Sequence, residues 1–339
     1  YMQRCWNLRG MAVGLQASAV QYNIFCISVL SYVSQISFAP PEALKKEKFA
    51  LQLLTAGPWN TFTHTCLVRM DSCGFAKPFM DIRTGNHAAM VRTALHNSKT
   101  FTGCLSRLKA SSTQDDASLA PSLRQWHKRA FVFQIEKAVD KALSNDARTL
   151  TDLLPLLVPF DPKALLRRRL ARWLVDDTAD LTLPEAADKA MTVISQITGR
   201  VPYCVIAAVW RSWLNGWCTS RRFQDECQPC LFDSDCGGSD CLEHYSCCPA
   251  ARRYLSKRLP RLISAATLID FLMLGSHNQD DLPFLAVHVY AVYGALNHIR
   301  AGQMRHGAFD LDMLLWERWR AAMMQMPSLF HLVNERWRR

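Results

Sequence analysis

The 339-residue sequence lacks the motifs on which most recognisable catalytic sites depend. It has no glycine-rich loop with the spacing that cradles phosphate groups, and its ten histidines are dispersed, without a nucleophilic serine or cysteine pattern beside them. Repeats of constant period and long low-complexity tracts are also missing, which argues against a repeat architecture. We therefore expect a folded chain without a complete catalytic site of its own and without a small-molecule substrate.

Charge is missing between Arg9 and Glu42, so a membrane span has to be considered first. The stretch carries nine serine, glutamine and asparagine side chains, which would need many partners inside a bilayer, and we expect neither a span nor a membrane partner. Two apolar stripes at helical spacing predict instead a central helix buried on two sides and ended by Pro40-Pro41. The stripes are Val20, Ile24, Ile27, Leu30 and Val33, and Tyr22, Phe25, Val29, Tyr32 and Ile36.

The amino terminus lacks a basic region leading into a short apolar core, so no secretion signal is predicted. The first residue is Tyr1 rather than methionine, which fits a fragment of a longer product. Seven of the 13 cysteines are scattered among apolar residues, as expected of reduced thiols in an intracellular protein of the nucleus or cytoplasm.

Positive charge is in excess, with 40 Lys and Arg against 29 Asp and Glu, a formal net charge of +11. This favours an anionic partner, and the planar fork of arginine suits phosphate contacts. We expect RNA or DNA to be bound mainly through phosphate, although solvated surface charge explains the same clusters. The predicted contacts are Arg167, Arg168, Arg169, Arg172, Arg221, Arg222, Arg252, Arg253, Lys257 and Arg258.

Helical patterns dominate the rest of the chain. Asp161-Pro162 predicts a helix start that carries Leu166, Leu170 and Trp173 inward, and Thr182 with Glu185 predicts a capping box. Further helices are predicted over residues 42–54 and 205–213 and, beyond Pro249, over 262–273, 284–298 and 311–326. Core packing is the preferred interpretation of Trp210, Trp213 and Trp217, with base stacking as the alternative.

Six cysteines crowd residues 227–248, which points to metal binding. Cys227, Cys230, His244 and Cys248 are the predicted ligands of a structural Zn²⁺, because four protein ligands leave no position for an activated water. Cys247 is an alternative to Cys248, and Cys236 and Cys241 could hold the same ion or a second one. Disulfides or an unoccupied knuckle also stay open. Six acids and no base lie between Asp225 and Glu243, so any phosphate contact is expected from the flanks. The predicted fold is mainly α, with a small zinc knuckle inserted between helical domains.

Residues 201–202 and 213–224, the Cys-x-x-Cys at Cys227 and the stretch from Glu243 to Pro249 form one pattern. This pattern resembles the zinc-binding region downstream of the polymerase in non-LTR (LINE-like) retrotransposon reverse transcriptases. Residues 22–32 with Pro40-Pro41 resemble the helical thumb, and residues 286–300 resemble the carboxyl-terminal helical extension. Small polar residues at 111–116 independently predict a linker and a soft boundary there. Together with the resemblance this gives four expected regions: a thumb-like region 1–110, a basic helical linker 111–200, a zinc-knuckle region 201–261 and a carboxyl-terminal helical region 262–339.

By the same resemblance the parent protein is an RNA-directed DNA polymerase and this chain its carboxyl-terminal portion. That polymerase needs a Tyr- or Phe-x-Asp-Asp turn and a distant aspartate to hold two metal ions. The nearest match, residues 174–177, follows the arginine helix and precedes no apolar strand, and the acid pairs at Asp115 and Asp280 lie in polar loops. We therefore expect no polymerase palm here. A zinc-stabilised structural or protein-interaction module without a nucleic-acid role is the alternative.

Overall fold

The computed structural model describes residues 1–34, 39–58, 60–86, 88–89, 154–155, 157–174, 181–258, 267–303 and 310–326. Across these ranges the chain is mainly helical, and the only β pairing is in two isolated bridges, Thr198 with Val201 and Pro229 with Ser239. The predicted mainly α fold is confirmed. The boundary at residues 111–116, the pair Asp176-Asp177 and the side chain of Arg258 lie outside the described residues, and the four-region division stays a prediction.

The amino-terminal part consists of short helices around one long one. Helix α1 (Met2–Gly10) packs against α4 (Pro41–Leu54), which begins with a proline in its first turn, one residue before the predicted start. Between them α2 (Leu15–Gln21) continues through a π-helical turn (Tyr22–Ile27) and a 3₁₀ turn (Ser28–Leu30) into α3 (Ser31–Ser34). Helix α5 (His64–Val68) completes this part.

The helical stretch from α2 to α3 is the uncharged helix of the sequence analysis. The prediction that this helix is buried on two sides is wrong. Its inner face, with Ala19, Tyr22 and Cys26, is fully buried, but Ile24 and Phe25 are each 54% exposed. Val20, Val29 and Val33 are exposed as well. Hydrophobic periodicity shows which side chains share a face but not how many faces find a partner. The main contacts of this stretch with other helices are with α1 and with the later helix Tyr203–Trp213.

Polar side chains of the same stretch have backbone partners, as a folded environment requires. The Gln16 amide accepts from Ala76 N at 3.0 Å and donates to the Lys77 carbonyl at 3.2 Å. The Asn23 amide likewise donates to the Pro78 carbonyl at 2.9 Å and accepts from Met80 N at 2.8 Å. These hydrogen bonds tie the helix to residues 76–80.

The middle helices begin where their caps predict. Helix α6 (Pro162–Leu170) is capped by Asp161, whose carboxylate accepts from Lys163 N at 2.9 Å. Helix α7 (Leu183–Ile197) has both hydrogen bonds of the capping box of Thr182 and Glu185. Helix α8 (Tyr203–Trp213) follows. These three helix predictions are confirmed.

Core packing is confirmed for the three tryptophans at and after the end of α8. Trp210, Trp213 and Trp217 are fully buried, so no ring face is available for a base. Each indole N–H has an acceptor. Trp210 donates to the Cys73 carbonyl at 2.8 Å, Trp213 to the Leu272 carbonyl at 2.9 Å and Trp217 to the Ser212 hydroxyl at 3.0 Å.

The carboxyl-terminal part surrounds one long buried helix. In chain order the elements are α9 (Ser220–Phe223), α10 (Leu242–Cys247), α11 (Pro249–Arg258), α12 (Leu268–Phe271), α13 (Leu282–His298), a π-helical turn (Ile299–Gln303) and α14 (Leu311–Met323). Helix α13 contacts α7, α8 and α14. Together with its π turn, α13 is the one helix among the described residues that is long and apolar enough to cross a membrane. Because 72% of its apolar stretch is buried inside the protein, it has the burial of a core helix.

A buried guanidinium joins the two parts. Arg211 of α8 donates to the carbonyls of Thr55 and Ala56 and, at 2.6 Å, to the Tyr293 hydroxyl of α13. The loops on either side of it pack tightly, because a Cβ at Gly216 would overlap the Thr61 side chain. Buried residues from Cys5 to Met323 belong to one hydrophobic cluster.

Candidate metal centre

The cysteine-rich segment doubles back on itself before α10. Cys230 N donates to the Gly238 carbonyl at 2.9 Å, and Asp240 N donates to the Gln228 carbonyl at 2.8 Å. At the end of the turn Gly237 has φ of 70°, a left-handed conformation that favours glycine. The reversal brings Cys236 back toward α10.

Four ligand atoms converge inside this turn. The thiols of Cys230, Cys236 and Cys248 and an imidazole nitrogen of His244 all lie within 4.8 Å of one another. The Cys230 and Cys248 sulfurs are 3.8 Å apart, and the Cys236 sulfur is 3.4 Å from His244 Nε2. A tetrahedral ion with bonds of about 2.3 Å to sulfur and about 2.0 Å to nitrogen needs separations of about 3.8 Å and about 3.5 Å. The group could hold a metal ion with little rearrangement.

Three of the four predicted ligands belong to this group. Cys227 does not, because it is exposed and precedes the pairing between Gln228 and Asp240 that starts the turn. The fourth position is taken by Cys236, one of the alternatives. The sequence feature that could have pointed to Cys236 is Asp233. The Asp233 carboxylate accepts from Asp235 N at 3.1 Å and so caps the 3₁₀ turn Ser234–Cys236.

The other two cysteines of the segment also lie outside the group. The Cys241 sulfur accepts from His244 N at 3.4 Å and so caps α10. The exposed Cys247 has its thiol 3.4 Å from the Glu243 carbonyl. Neither thiol contributes a ligand atom to the group.

Backbone N–H groups surround two of the sulfurs in the same pattern. Phe232 and Asp233 direct their N–H groups at Cys230, two and three residues after it, and Ala250 and Ala251 do the same at Cys248. Such donors stabilise thiolates and orient metal ligands.

The pKa values of the two buried thiols, Cys230 and Cys248, are shifted in opposite directions. The Cys230 thiol, as donor to Cys248, lowers the pKa of Cys248 to about 5, and the N–H groups of Ala251 and Ala250 act in the same direction. The pKa of Cys230 is raised because it retains the proton and is buried. One of the pair is thus a thiolate near neutral pH, the form that binds a cation.

The His244 ring lies directly against the backbone of the turn. A Cβ at Gly238 would overlap the imidazole, so glycine at position 238 is required by close approach rather than by its dihedral angle. This contact limits where the ring can move and helps to aim it at the three sulfurs.

Asp240 connects the turn to the rest of the molecule. It is fully buried, and its carboxylate accepts from Ser220 N at 2.7 Å and from the Tyr245 hydroxyl at 2.8 Å. The same carboxylate forms an ion pair with Arg300 at the end of α13. Glu243, another acid of the segment, pairs with Arg221 at 2.7 Å. Two of the six acids are therefore neutralised within the fold.

The predicted nucleic-acid contacts differ in what holds their side chains. Carboxylates pair with Arg167 (Asp161, 3.4 Å), Arg221 (Glu243, 2.7 Å) and Lys257 (Asp312, 3.0 Å). Backbone carbonyls hold two others, Arg169 and Arg222, and the Arg172 guanidinium lies 5.4 Å from the Trp173 ring. Arg168 and Arg253 are exposed, and Arg252 is half-buried.

Fold and site together define a mainly helical protein with a group of three cysteines and one histidine that could hold a metal ion. Comparison of the chain with protein families, with curated proteins and with solved structures gives no match.

Proposed function

We propose that the group formed by Cys230, Cys236, His244 and Cys248 binds Zn²⁺ as a structural centre. The convergence of their four ligand atoms carries this proposal. Three sulfurs and one imidazole nitrogen favour zinc over the hard cations, which prefer oxygen. Four protein ligands fill a tetrahedral shell and leave no position for an activated water, so the ion stabilises the turn rather than catalysing a reaction.

The ion would link two parts of the carboxyl-terminal half. Cys230 and Cys236 lie before the glycine turn, and Cys248 directly precedes α11. Fixing them together also fixes Asp240, whose partners lie in α9, in α10 and at the end of α13. Zinc binding should therefore contribute directly to folding stability, because the unfolded chain does not hold such a site.

The same proposal gives the chain a nucleic-acid partner. In this proposal the chain acts as the nucleic-acid-binding carboxyl-terminal part of a non-LTR retrotransposon RNA-directed DNA polymerase, without the catalytic palm. Support comes from the net charge of +11, the exposed arginines and the sequence resemblance. We propose that it works inside the cell, in the nucleus or cytoplasm, because cysteines scattered among apolar residues are typical of reduced thiols, and immunofluorescence of the tagged protein tests this location.

Binding of labelled RNA and DNA at several salt concentrations tests the nucleic-acid role. Phosphate contacts release counterions, so log affinity should fall linearly with log salt, by about 0.7 per contact for a single strand and about 0.9 for a duplex. Affinity that ignores salt would contradict the proposal.

A zinc-stabilised structural or protein-interaction module is the second candidate. It is favoured by the carboxylates that neutralise Arg167, Arg221 and Lys257 and by the exposed apolar face of the uncharged helix. Zinc content is the same under both candidates, whereas the RNA titration separates them. A module of this kind shows no salt-dependent RNA binding.

A further inference from the structure

The first helix presents an aromatic side chain to the solvent. Trp6 of α1 is 50% exposed, whereas four other tryptophans of the described structure are fully buried. Its ring lies against Phe49 of α4, with the ring centroids 6.2 Å apart and the ring planes tilted by 58°. The contact with Phe49 steadies the indole on one side, while half of the side chain stays in water. An exposed indole held in this way offers a flat surface for another ring.

Basic side chains flank this ring pair. Arg9 follows Trp6 by three residues on α1, and Lys45 precedes Phe49 by four residues on α4. Residues at these spacings lie on one face of a helix, with Cβ atoms about 5–6 Å apart. Because the two rings meet where α1 packs against α4, the two faces lie side by side. Arg9, Lys45 and Lys48, the neighbour of Phe49, are all exposed. We call these five residues the aromatic-basic surface.

The positive charge of the aromatic-basic surface is not neutralised by the fold. Arg9, Lys45 and Lys48 form no ion pair with a carboxylate among the described residues. Of the two acids of α4, Glu47 is buried, and Glu42 lies in the first turn of the helix. Three of the contacts predicted from the sequence differ in this respect, because carboxylates pair with them. Positive charge without such partners attracts an anionic ligand.

We propose that the aromatic-basic surface binds single-stranded nucleic acid, with a base stacked on Trp6 and phosphates held by the three basic side chains. Every unpaired base has a flat face, so this contact adds affinity with little sequence choice. The inference rests on the proposed nucleic-acid role and assigns that role to a surface that the sequence prediction did not include.

The combination of ring and charge selects this ligand. A phosphate ion alone would make no use of the indole, and an apolar protein segment would leave three positive charges uncompensated. A lipid surface also takes aromatic and basic side chains together, but it needs a broad apolar face to insert into the bilayer. Here two rings are surrounded by charge, which fits a strand that alternates bases with phosphates.

The test is binding of a labelled single-stranded oligothymidylate by Trp6→Ala. Loss of one stacked base should weaken binding about tenfold. The salt slope should stay unchanged, because the substitution removes no charge. A duplex of the same length should bind the variant and the wild type within about twofold of each other, since paired bases are not open to stacking. Trp6→Phe keeps an aromatic ring and should retain most of the affinity.

Phe25→Ala is the matched control. Phe25 is an aromatic side chain of similar exposure, at 54%, and the residues three and four positions from it carry no charge. Its carbonyl accepts from Arg4 at 2.7 Å. Arg4 is two positions before Trp6 and therefore on a different side of α1, so Phe25 lies away from the Trp6 ring. We expect Phe25→Ala to bind the single strand within about twofold of wild type.

The basic side chains are tested separately. Lys45→Gln with Lys48→Gln should weaken binding of the single strand and lower the salt slope by about 1. Lys77→Gln with Lys189→Gln makes the same change of charge at exposed lysines outside α1 and α4. This control pair should leave the salt slope unchanged.

The outcomes separate this site from the proposed function. Wild-type protein that binds no RNA or DNA overturns both. Equal binding by wild type and Trp6→Ala overturns the site and leaves the proposed function standing. Equal losses in Trp6→Ala and Phe25→Ala, or in the two lysine pairs, also overturn the site. Binding to phosphatidylserine vesicles but not to nucleic acid, lost in Trp6→Ala, overturns the assignment in favour of a lipid surface.

Folding of each variant is checked by circular dichroism, and one further measurement needs no variant. An abasic strand keeps the phosphates of the oligothymidylate but has no bases to stack. We expect the wild-type protein to bind it at least about tenfold more weakly than the oligothymidylate. Equal affinity for the two strands overturns the stacking of a base on Trp6.

Discussion

The turn that carries the candidate metal ligands, residues 228–248, and the uncharged helix both depart from the usual distribution of polar and apolar side chains, and they do so in opposite ways. In the turn one charged group is inside, because Asp240 is fully buried with Arg300 as its partner. In the helix large apolar groups are outside, with Ile24 and Phe25 each 54% exposed. Burial therefore follows the availability of partners rather than polarity alone.

The largest effect we expect comes from removing the buried carboxylate. Asp240→Ala should lower the free energy of unfolding by about 3–5 kcal/mol, because Arg300, Ser220 N and the Tyr245 hydroxyl lose their common acceptor. Urea denaturation measures this. The exposed acid Asp225 supplies the matched control, and Asp225→Ala should change stability by less than about 0.5 kcal/mol. Equal effects of the two variants would show that Asp240 is not a structural hub.

The next effect depends on pH and on a histidine of α13. The His288 side chain lines a small cavity beneath α10 together with Arg252 and Tyr245. Burial lowers the pKa of His288 from 6.5 to about 4. The folded state keeps His288 neutral, whereas the unfolded chain takes up a proton below pH 6.5. The free energy of unfolding should therefore fall by about 3 kcal/mol as pH drops from 6.5 to 4.

His288→Leu should remove this part of the pH dependence. Protonation of the metal ligands affects both proteins alike, so the difference between their stability profiles isolates His288. Parallel profiles from pH 7 to pH 4 would contradict the burial of a neutral imidazole.

A smaller effect is expected from one methyl group in the turn. Gly238→Ala places a Cβ against the His244 ring and should weaken zinc affinity by about 10–100-fold, as changes that displace a ligand do. Competition with a chromogenic chelator measures it. Gly237→Asn is the matched control, because nothing lies within 4 Å of a Cβ there and asparagine tolerates a left-handed backbone. If Gly238→Ala binds zinc as tightly as Gly237→Asn, the ring is not confined by the turn.

The smallest effect belongs to the outward face of the uncharged helix. Ile24→Gln should cost less than about 0.5 kcal/mol, since the side chain is 54% exposed. The fully buried Leu51 on the neighbouring α4 provides the contrast, and Leu51→Ala should cost about 2–5 kcal/mol. Thermal and urea melts compare them. A similar cost for the two changes would mean that the outward face is packed after all.

Local signals account for the predictions that are confirmed. The capping box at Thr182 and Glu185 lies within one helical turn, and apolar residues run through most of α13. The spacing of cysteine and histidine put Cys230, His244 and Cys248 in the predicted set, with Cys247 left as an alternative to Cys248, because two short stretches supply these ligands. Spacing could not choose between Cys227 and Cys236, since that choice depends on how Gly237 and Gly238 reverse the chain.

Long-range features had no signal in the sequence. Asp240 and Arg300 are 60 residues apart, and Arg211 reaches carbonyls 155 residues earlier. Helical periodicity likewise could not show that only one face of the uncharged helix is covered. Such contacts depend on the packing of whole helices, which short patterns do not encode.

Zinc content per chain, measured by plasma mass spectrometry after purification, tests the central claim most directly. The wild type and Cys227→Ser should each hold about one zinc ion, while Cys236→Ser should lose most of it, because Cys236 rather than Cys227 completes the four ligands. Zinc retained by Cys236→Ser and lost by Cys227→Ser, or absent from the wild type, would contradict the assignment.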